Sequence, residues 1–162
     1  MENNSFLSPS GKEFSAASLV RSIAKFVYEA PDGYYRIVIG TDSEVKKKPN
    51  HEVDFVTAII VHRVGTGAKY FWNKKKIRRK MVLRDRIYQE TQTSLQLAQA
   101  VVPKIREAIS LKYDFEIHVD VGPNGATREM IKEVVGMVQG YGFTAKTKPE
   151  SWGASSVADK YA

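Results

Sequence analysis

The spacing of hydrophobic positions predicts a helix followed by three strands linked by hairpins. Across residues 15–30 apolar side chains recur every three or four positions, which is the period of a helix with one buried face, and its first residue is a capping serine. Residues 35–41, 53–64 and 68–77 are rich in β-forming types and separated by turn signals, so we expect antiparallel neighbours. Residues 1–14 show no such pattern and are predicted to be a flexible arm.

The second half of the chain alternates between helical and strand patterns. The predicted elements are a long helix over 83–111 bent near Pro103, a buried strand over 115–121, a helix over 127–139, a short strand over 143–147 and a last helix over 152–162. After the leading helix the order is therefore β-β-β-α-β-α-β-α. This order predicts one α/β domain over residues 15–162, built on a mixed sheet with helices on both faces.

Charge and composition narrow the class of partner. The chain has 162 residues, a net charge of +7 and no cysteine. Excess positive charge attracts polyanions such as nucleic acid, and a chain without cysteine forms neither disulfides nor thiolate metal sites. The sequence shows no apolar run of membrane-spanning length and no signal-peptide pattern over residues 1–12. We therefore expect a soluble, cytoplasmic protein.

Two aspartates stand where predicted strands end. Asp42 ends the first strand of the hairpin set, and Asp120 ends the strand that lies between helices. Ligands of open α/β sheets bind at this end of the strands, and an acid in a buried strand needs a cation or hydrogen-bond donors. Both aspartates are thus candidate ligands, although for Asp42 a turn-forming role is an equal alternative.

Two further acids complete the candidate set. Glu90 falls inside the apolar stripe of the long helix, toward one edge, where its carboxylate would face Asp42 and Asp120. The alternative is a glutamate that extends from the edge of the stripe toward an arginine. Asp159 lies among small residues that would let the last helix pack close to the site. For Asp159 the alternative is a solvated side chain in a frayed last turn.

Converging carboxylates point to a metal cofactor. Such groups repel one another unless a divalent cation neutralises them, and ligand sets made only of oxygen favour Mg²⁺ or Mn²⁺ over zinc. Two such ions activate a water molecule and stabilise the leaving oxygen in phosphodiester cleavage. The acids therefore predict a phosphoryl-transfer site with Mg²⁺ or Mn²⁺ as its cofactor.

Three segments resemble a known protein family. IGTDS at 39–43, HVDVG at 118–122 and ASSVAD at 154–159 are similar to the bacterial YkuK family of RNase H-like proteins. In ribonuclease H-like enzymes, an Asp in the first strand, a Glu in the first helix after the hairpins, an Asp ending the fourth strand and an acid in or before the last helix bind two metal ions. The resemblance implies a two-metal nuclease of the RNase H-like fold. Its catalytic and metal-binding residues would be Asp42, Glu90, Asp120 and Asp159.

A basic segment lies on and beside the predicted hairpins. Residues 69–80 include seven lysines or arginines, no acid and three consecutive aromatic residues. We predict salt-sensitive phosphate contacts and base stacking here, while an edge strand protected by lysines is the alternative. Lys146 and Lys148 are a looser pair that could also contact a phosphate. The predicted nucleic-acid-binding residues are Lys46, Lys47, Lys48, Lys74, Lys75, Lys76, Arg78, Arg79 and Lys80.

The sequence leaves three functional hypotheses open. The first is a metal-dependent nuclease acting on RNA or DNA. The second is a non-catalytic nucleic-acid-binding module with the same fold, and the third is a protein-interaction domain whose basic surface only confers solubility. The full acid set favours the first, because a module that only binds has no need of buried acids. The chain has neither a Walker loop nor a Gly-x-Ser-x-Gly segment, which argues against an ATPase and a serine hydrolase.

Overall fold

Seven strands and three α-helices make up the secondary structure in a computed structural model that describes residues 5–46, 51–153, 156–157 and 161. The strands are β1 (Phe6–Leu7), β2 (Glu13–Phe14), β3 (Tyr35–Lys46), β4 (Glu52–Arg63), β5 (Gly67–Ile77), β6 (Tyr113–His118) and β7 (Thr144–Lys146), and the helices are α1 (Ala16–Glu29), α2 (Leu83–Ala108) and α3 (Ile131–Gly140). A single 3-10 turn, Arg128–Met130, leads into α3.

The strands form one mixed sheet. Its order is β2-β1-β5-β4-β3-β6-β7, in which β3, β4 and β5 are antiparallel neighbours while β6 and β7 add in parallel. Parallel addition requires a crossover, and α2 and α3 supply the two crossovers. The mixed α/β sheet expected from the sequence is therefore confirmed.

Helix α1 begins where its sequence predicts. The Ser15 Oγ accepts a hydrogen bond from the Ser18 N–H at 3.1 Å, and the Ser18 Oγ accepts one from the Ser15 N–H at 2.8 Å. This reciprocal pair satisfies two backbone donors at the start of the helix. Leu19, Ile23 and Val27, spaced four residues apart, are fully buried on one side of α1.

The three helices pack on the same face of the sheet. Because side chains alternate along a strand, odd-numbered residues such as Ile37, Ile59 and Ile117 share that face and are fully buried beneath the helices. Each such side chain contributes roughly 1.5–3 kcal/mol through burial. None of the helices in the described segments has the length and apolar character needed to cross a membrane.

The opposite face of the sheet packs against the C-terminal segment. Val38, Ala58 and Ile60 form a second buried cluster with Val157, and Tyr161 stacks on Trp72 with ring centroids 4.1 Å apart. The predicted last helix is represented by four positions with helical backbone, Gly153, Ser156, Val157 and Tyr161. Trp152, where the helix was predicted to begin, is described but not helical. The remaining residues of the predicted helix lie outside the described segments, so its helical cover of this face remains a prediction there.

The N-terminal segment joins the sheet. β1 and β2 form an antiparallel pair, and Leu7 of β1 pairs with Trp72 of β5. Phe6 is buried in the main core. The prediction of a flexible arm is therefore wrong for residues 5–14. Strands of two residues are too short to produce a recognisable alternation, which is why the sequence pattern did not indicate them.

Candidate active site

Asp42 and Asp120 occupy equivalent positions on two strands that separate. β3 and β6 pair in parallel up to Gly40 and His118, and the two aspartates lie two residues beyond that last pair. β6 ends there, whereas β3 continues along β4 to Lys46. The prediction that Asp42 ends its strand is wrong, because antiparallel pairing with β4 extends β3. The separation of β3 from β6 nevertheless brings both carboxylates to one region.

Glu90 reaches this region from the first third of α2. Its side chain faces the sheet and the residue is only 4% exposed, as the helical stripe predicts. The Ser43 hydroxyl of β3 donates a hydrogen bond to Glu90 Oε2. Oε1 is also buried, yet it accepts no hydrogen bond from any described residue. A buried carboxylate oxygen without a donor is the kind of atom that a bound cation or water satisfies.

Electrostatics link the three acids. Burial is the main cause of a Glu90 pKa raised to about 8, and the Asp42 and Asp120 carboxylates contribute in the same direction. The Ser43 hydrogen bond and the nearby Arg86 guanidinium partly oppose this rise. Without a cation Glu90 is therefore largely protonated at neutral pH. A divalent ion would favour its charged form.

Ser43 and Arg86 both interact with the Glu90 carboxylate, and the sequence interpretation identified neither of them. Ser43 follows Asp42 on β3, and the Arg86 Nη1 donates to the Ser43 Oγ at 3.3 Å. The Arg86 Nε is buried and has no hydrogen-bond partner among the described residues. Arg86 lies four positions before Glu90 on α2, and residues with this i, i+4 spacing are neighbours on a helix. That spacing is the sequence feature that could have identified Arg86.

A lysine lies directly beside the acids. The Lys148 Nζ is 2.9 Å from Asp120 Oδ1, although this oxygen accepts no hydrogen bond of good geometry, so the contact is best described as an ion pair. The Asp120 carboxylate raises the pKa of Lys148, and Asp42 and Glu90 add to the effect. Lys148 thus belongs to the acidic region, which its position in a loose lysine pair did not reveal.

The donor set fits a hard divalent cation in its chemistry. In the described parts of the chain, no three His, Cys, Asp or Glu side chains are already arranged to hold a metal ion. Asp42, Glu90 and Asp120 nevertheless offer only oxygen ligands, and Glu90 keeps one of them unpartnered. Asp159, the predicted fourth ligand, lies outside the described residues.

Several predicted nucleic-acid-binding residues form ion pairs within the chain. On β5, Lys74 lies 3.5 Å from Asp54, and Lys76 lies 3.0 Å from Glu52. Arg78 follows at 3.3 Å from Glu52. The cause is the register, in which these acids of β4 lie beside β5 on the same face of the sheet. Positive charge on this strand is thus partly neutralised.

The remaining predicted contacts differ in their surroundings. Arg79 and Lys80 follow β5, are exposed, and make no ion pair with the part of the chain that is described. Lys75 is exposed on the other face of β5, and Lys46 pairs with Glu44 at 3.1 Å. Lys47 and Lys48 lie outside the described residues.

His118 anchors the segment that follows the site. Its Nδ1 accepts hydrogen bonds from the backbone N–H groups of Trp152 and Gly153, and its Nε2 lies 3.1 Å from Glu116 Oε1. Burial lowers the pKa of His118. The neutral ring with its proton on Nε2 satisfies all three contacts. His118 is therefore a hydrogen-bonded core residue.

The mixed sheet and the order of its elements are consistent with a ribonuclease H-like fold. The chain matches the model of the Ribonuclease H-like family over residues 18–162 and belongs to that family. It is also 29% identical over 172 aligned residues to the uncharacterised protein YkuK of Bacillus subtilis (strain 168). This alignment covers 96% of the present chain and 95% of the Bacillus protein. No solved structure gives a significant match. The resemblance noted from the three motifs is confirmed.

Proposed function

We propose that the protein is a nuclease that hydrolyses phosphodiester bonds of RNA or DNA with Mg²⁺ or Mn²⁺. One observation carries the proposal: Glu90 is buried beside Asp42 and Asp120 with one carboxylate oxygen unpartnered. A fold gains nothing from burying an unsatisfied acid next to two others unless a ligand binds there. Membership in the ribonuclease H-like family supports the same class of activity.

Each residue has a distinct part in this proposal. Asp42, Glu90 and Asp120 would hold the cation, and Asp159 is proposed as a fourth ligand. When bound, the metal supplies an activated water and neutralises the leaving oxygen. Ser43 fixes the orientation of the Glu90 carboxylate through its hydrogen bond to Oε2. Burial of Glu90 keeps its unpartnered oxygen from being satisfied by bulk water.

A non-catalytic nucleic-acid-binding module is the second candidate. The observation that favours it is the ion pair between Lys148 and Asp120, since a lysine offsets part of the negative charge that would otherwise require a metal. The two candidates differ in one measurable property. A nuclease site takes up a divalent cation at Asp42 and Asp120, whereas a site neutralised by lysine does not.

Thermal melts with and without Mn²⁺ test the metal site. A ligand bound only to the folded state at about 100 times its Kd adds roughly 2.7 kcal/mol of stability. For a chain of this size we therefore expect a rise in Tm of roughly 5–10 °C. Asp42→Asn and Asp120→Asn should both abolish that rise. Asp42→Asn should do so without lowering the Tm of the metal-free protein, because it removes a repelling charge, whereas Asp120→Asn also loses the ion pair with Lys148. Asp85→Asn, on the exposed surface of α2, is the matched control.

Two results would count against the metal site. One is a rise in Tm with Mn²⁺ that is as large in Asp42→Asn and Asp120→Asn as in the wild type. The other is a Tm lowered equally with and without Mn²⁺ in Asp42→Asn, which is the behaviour of an aspartate with a purely structural role. Incubation with labelled RNA, DNA and hybrid substrates in Mg²⁺ or Mn²⁺ then distinguishes the nuclease from the binding module.

Nucleic-acid affinity should depend on the exposed end of the basic segment. Replacing Arg79 and Lys80 together with alanine should reduce the slope of log K against log salt by about 2, one unit for each lost phosphate contact. The matched control, Lys25→Ala with Lys104→Ala, removes the same charge from exposed positions on α1 and α2. Electrophoretic or fluorescence titrations at several salt concentrations measure the slope. Equal slopes in both double variants would exclude the segment as a specific contact surface.

A further inference from the structure

Lys148 is held in place by the chain around it. Its backbone N–H donates to the Val121 carbonyl at 2.8 Å, two residues after Val119 N–H donates to the Lys146 carbonyl at 2.9 Å. These bonds continue the parallel pairing of β6 with β7 past the end of both strands. A Cβ atom on Gly122 would lie only 2.9 Å from the Lys148 Cβ. Glycine at this position therefore lets the lysine backbone come close to the loop that carries Asp120.

The Lys148 ammonium is aimed at the acids, and its neighbour is not. The Nζ lies 2.9 Å from Asp120 Oδ1, while the Nζ of Lys146 lies 3.6 Å from Glu150. The Lys148 side chain is 53% exposed, so it can leave Asp120 without opening the core. Asp120 Oδ1 is itself buried and has no hydrogen-bond donor of good geometry. The lysine is therefore the cation that this oxygen meets in the metal-free protein.

We propose that Lys148 competes with the divalent cation for Asp120 and, once displaced, binds a backbone phosphate of the nucleic acid. The inference rests on the proposed function, because it assigns a role to Lys148 toward that same metal. Two cations cannot both lie against one carboxylate oxygen without strong repulsion. An ammonium group on a flexible four-carbon stem can turn toward an incoming phosphate, for which it is a common ligand.

Mn²⁺ titration of the complete protein tests the competition. Lys148→Met keeps most of the side-chain length and removes the charge, so the Mn²⁺ affinity should rise about two- to fivefold, as expected for loss of a partly exposed competing ion pair. Lys148→Arg should leave the affinity near that of the wild type. Lys146→Met, two residues away on the same segment, should also leave it unchanged. Electron paramagnetic resonance of free Mn²⁺ gives the affinity without any assay of cleavage.

Binding of an oligonucleotide tests the phosphate contact. The probe is the oligonucleotide of the substrate panel that the wild type binds most tightly, measured with Ca²⁺ as the oxygen-bound cation. Lys148→Met should weaken binding and lower the salt slope by about 1, whereas Lys146→Met should not. An unchanged slope, or an oligonucleotide that fails to bind even the wild type, overturns the phosphate contact.

The outcomes separate this inference from the proposed function. If the wild type binds no Mn²⁺, the proposed function fails and the inference fails with it. If the wild type binds Mn²⁺ but Lys148→Met binds it equally or more weakly, the competition is overturned and the nuclease proposal stands. A variant that melts at a lower temperature but binds Mn²⁺ with unchanged affinity would show that Lys148 has only a structural role.

Discussion

Asp42→Asn should lower the rate of metal-dependent cleavage of nucleic acid by at least about a thousandfold, a loss of about 4 kcal/mol of transition-state stabilisation. The carboxylate is replaced by a neutral amide of the same shape, which binds a hard cation far less well. Asp42 lies inside β3, and its carboxylate accepts a hydrogen bond from the backbone N–H of Ser43 at 3.0 Å. The amide oxygen of asparagine retains that bond, so the strand should fold normally. Single-turnover cleavage of the best substrate measures the effect.

The control for Asp42→Asn is Asp85→Asn, an acid-to-amide change at an exposed position on α2. It should retain the wild-type rate. A rate for Asp42→Asn within tenfold of the wild type would exclude this carboxylate from the reaction. If the wild type itself cuts no substrate yet binds nucleic acid, the non-catalytic module becomes the supported function.

The fold was largely predictable because its signals are local. The alternation of side chains along the strands, the cap of α1 and the helical period of α2 are each visible in neighbouring residues. The order of these elements was enough to predict the mixed sheet. Pairing between distant residues was not predictable. The extension of β3 to Lys46 depends on β4, and the attachment of residues 5–14 depends on contact with Trp72 of β5. Neither feature changes the local sequence pattern.

The candidate site also combines residues that the local sequence could indicate with residues that only the fold brings together. The proximity of Asp42, Glu90 and Asp120 was predictable, since each is an acid at a position that its element should bury or direct toward a ligand. Arg86 and Lys148 were not, because charged residues on a helix or a loop usually face solvent. Their contacts with Ser43 and Asp120 form only once the fold brings β3, α2 and the segment after β7 together. Asp159 stays a prediction from the family pattern.

The basic segment has neighbours that the sequence alone did not indicate. A run of lysines suggests a surface ready to bind phosphate, yet the positive charge of Lys74 and Lys76 is partly used by Asp54 and Glu52 of the adjacent strand. Cross-strand register decides which charges stay available, and register is not visible in one strand's sequence. Nucleic-acid binding by this segment therefore remains a prediction that centres on Arg79 and Lys80.

Glu90→Gln should stabilise the metal-free protein, and the gain should grow with pH. The pKa of Glu90 is raised from 4.5 to about 8 in the folded state. Below about pH 4.5 both states are protonated and the substitution changes little. Between pH 4.5 and 8 the unfolded chain releases a proton that the folded chain keeps, so wild-type stability falls by up to roughly 1.4 kcal/mol per pH unit. Glutamine resembles the protonated acid and avoids this loss.

Urea unfolding in EDTA at pH 5, 6, 7 and 8 measures the difference. By pH 8 the gain should reach a few kcal/mol, whereas Glu107→Gln, an exposed change on the same helix, should give a nearly constant small effect. In saturating Mn²⁺ the wild type should instead be more stable than Glu90→Gln, because the cation binds the charged carboxylate and the substitution removes that ligand. A gain that does not vary with pH would mean that Glu90 already ionises normally in the folded protein. The buried acid would then need no cation, and its part in the metal site would lose its physical basis.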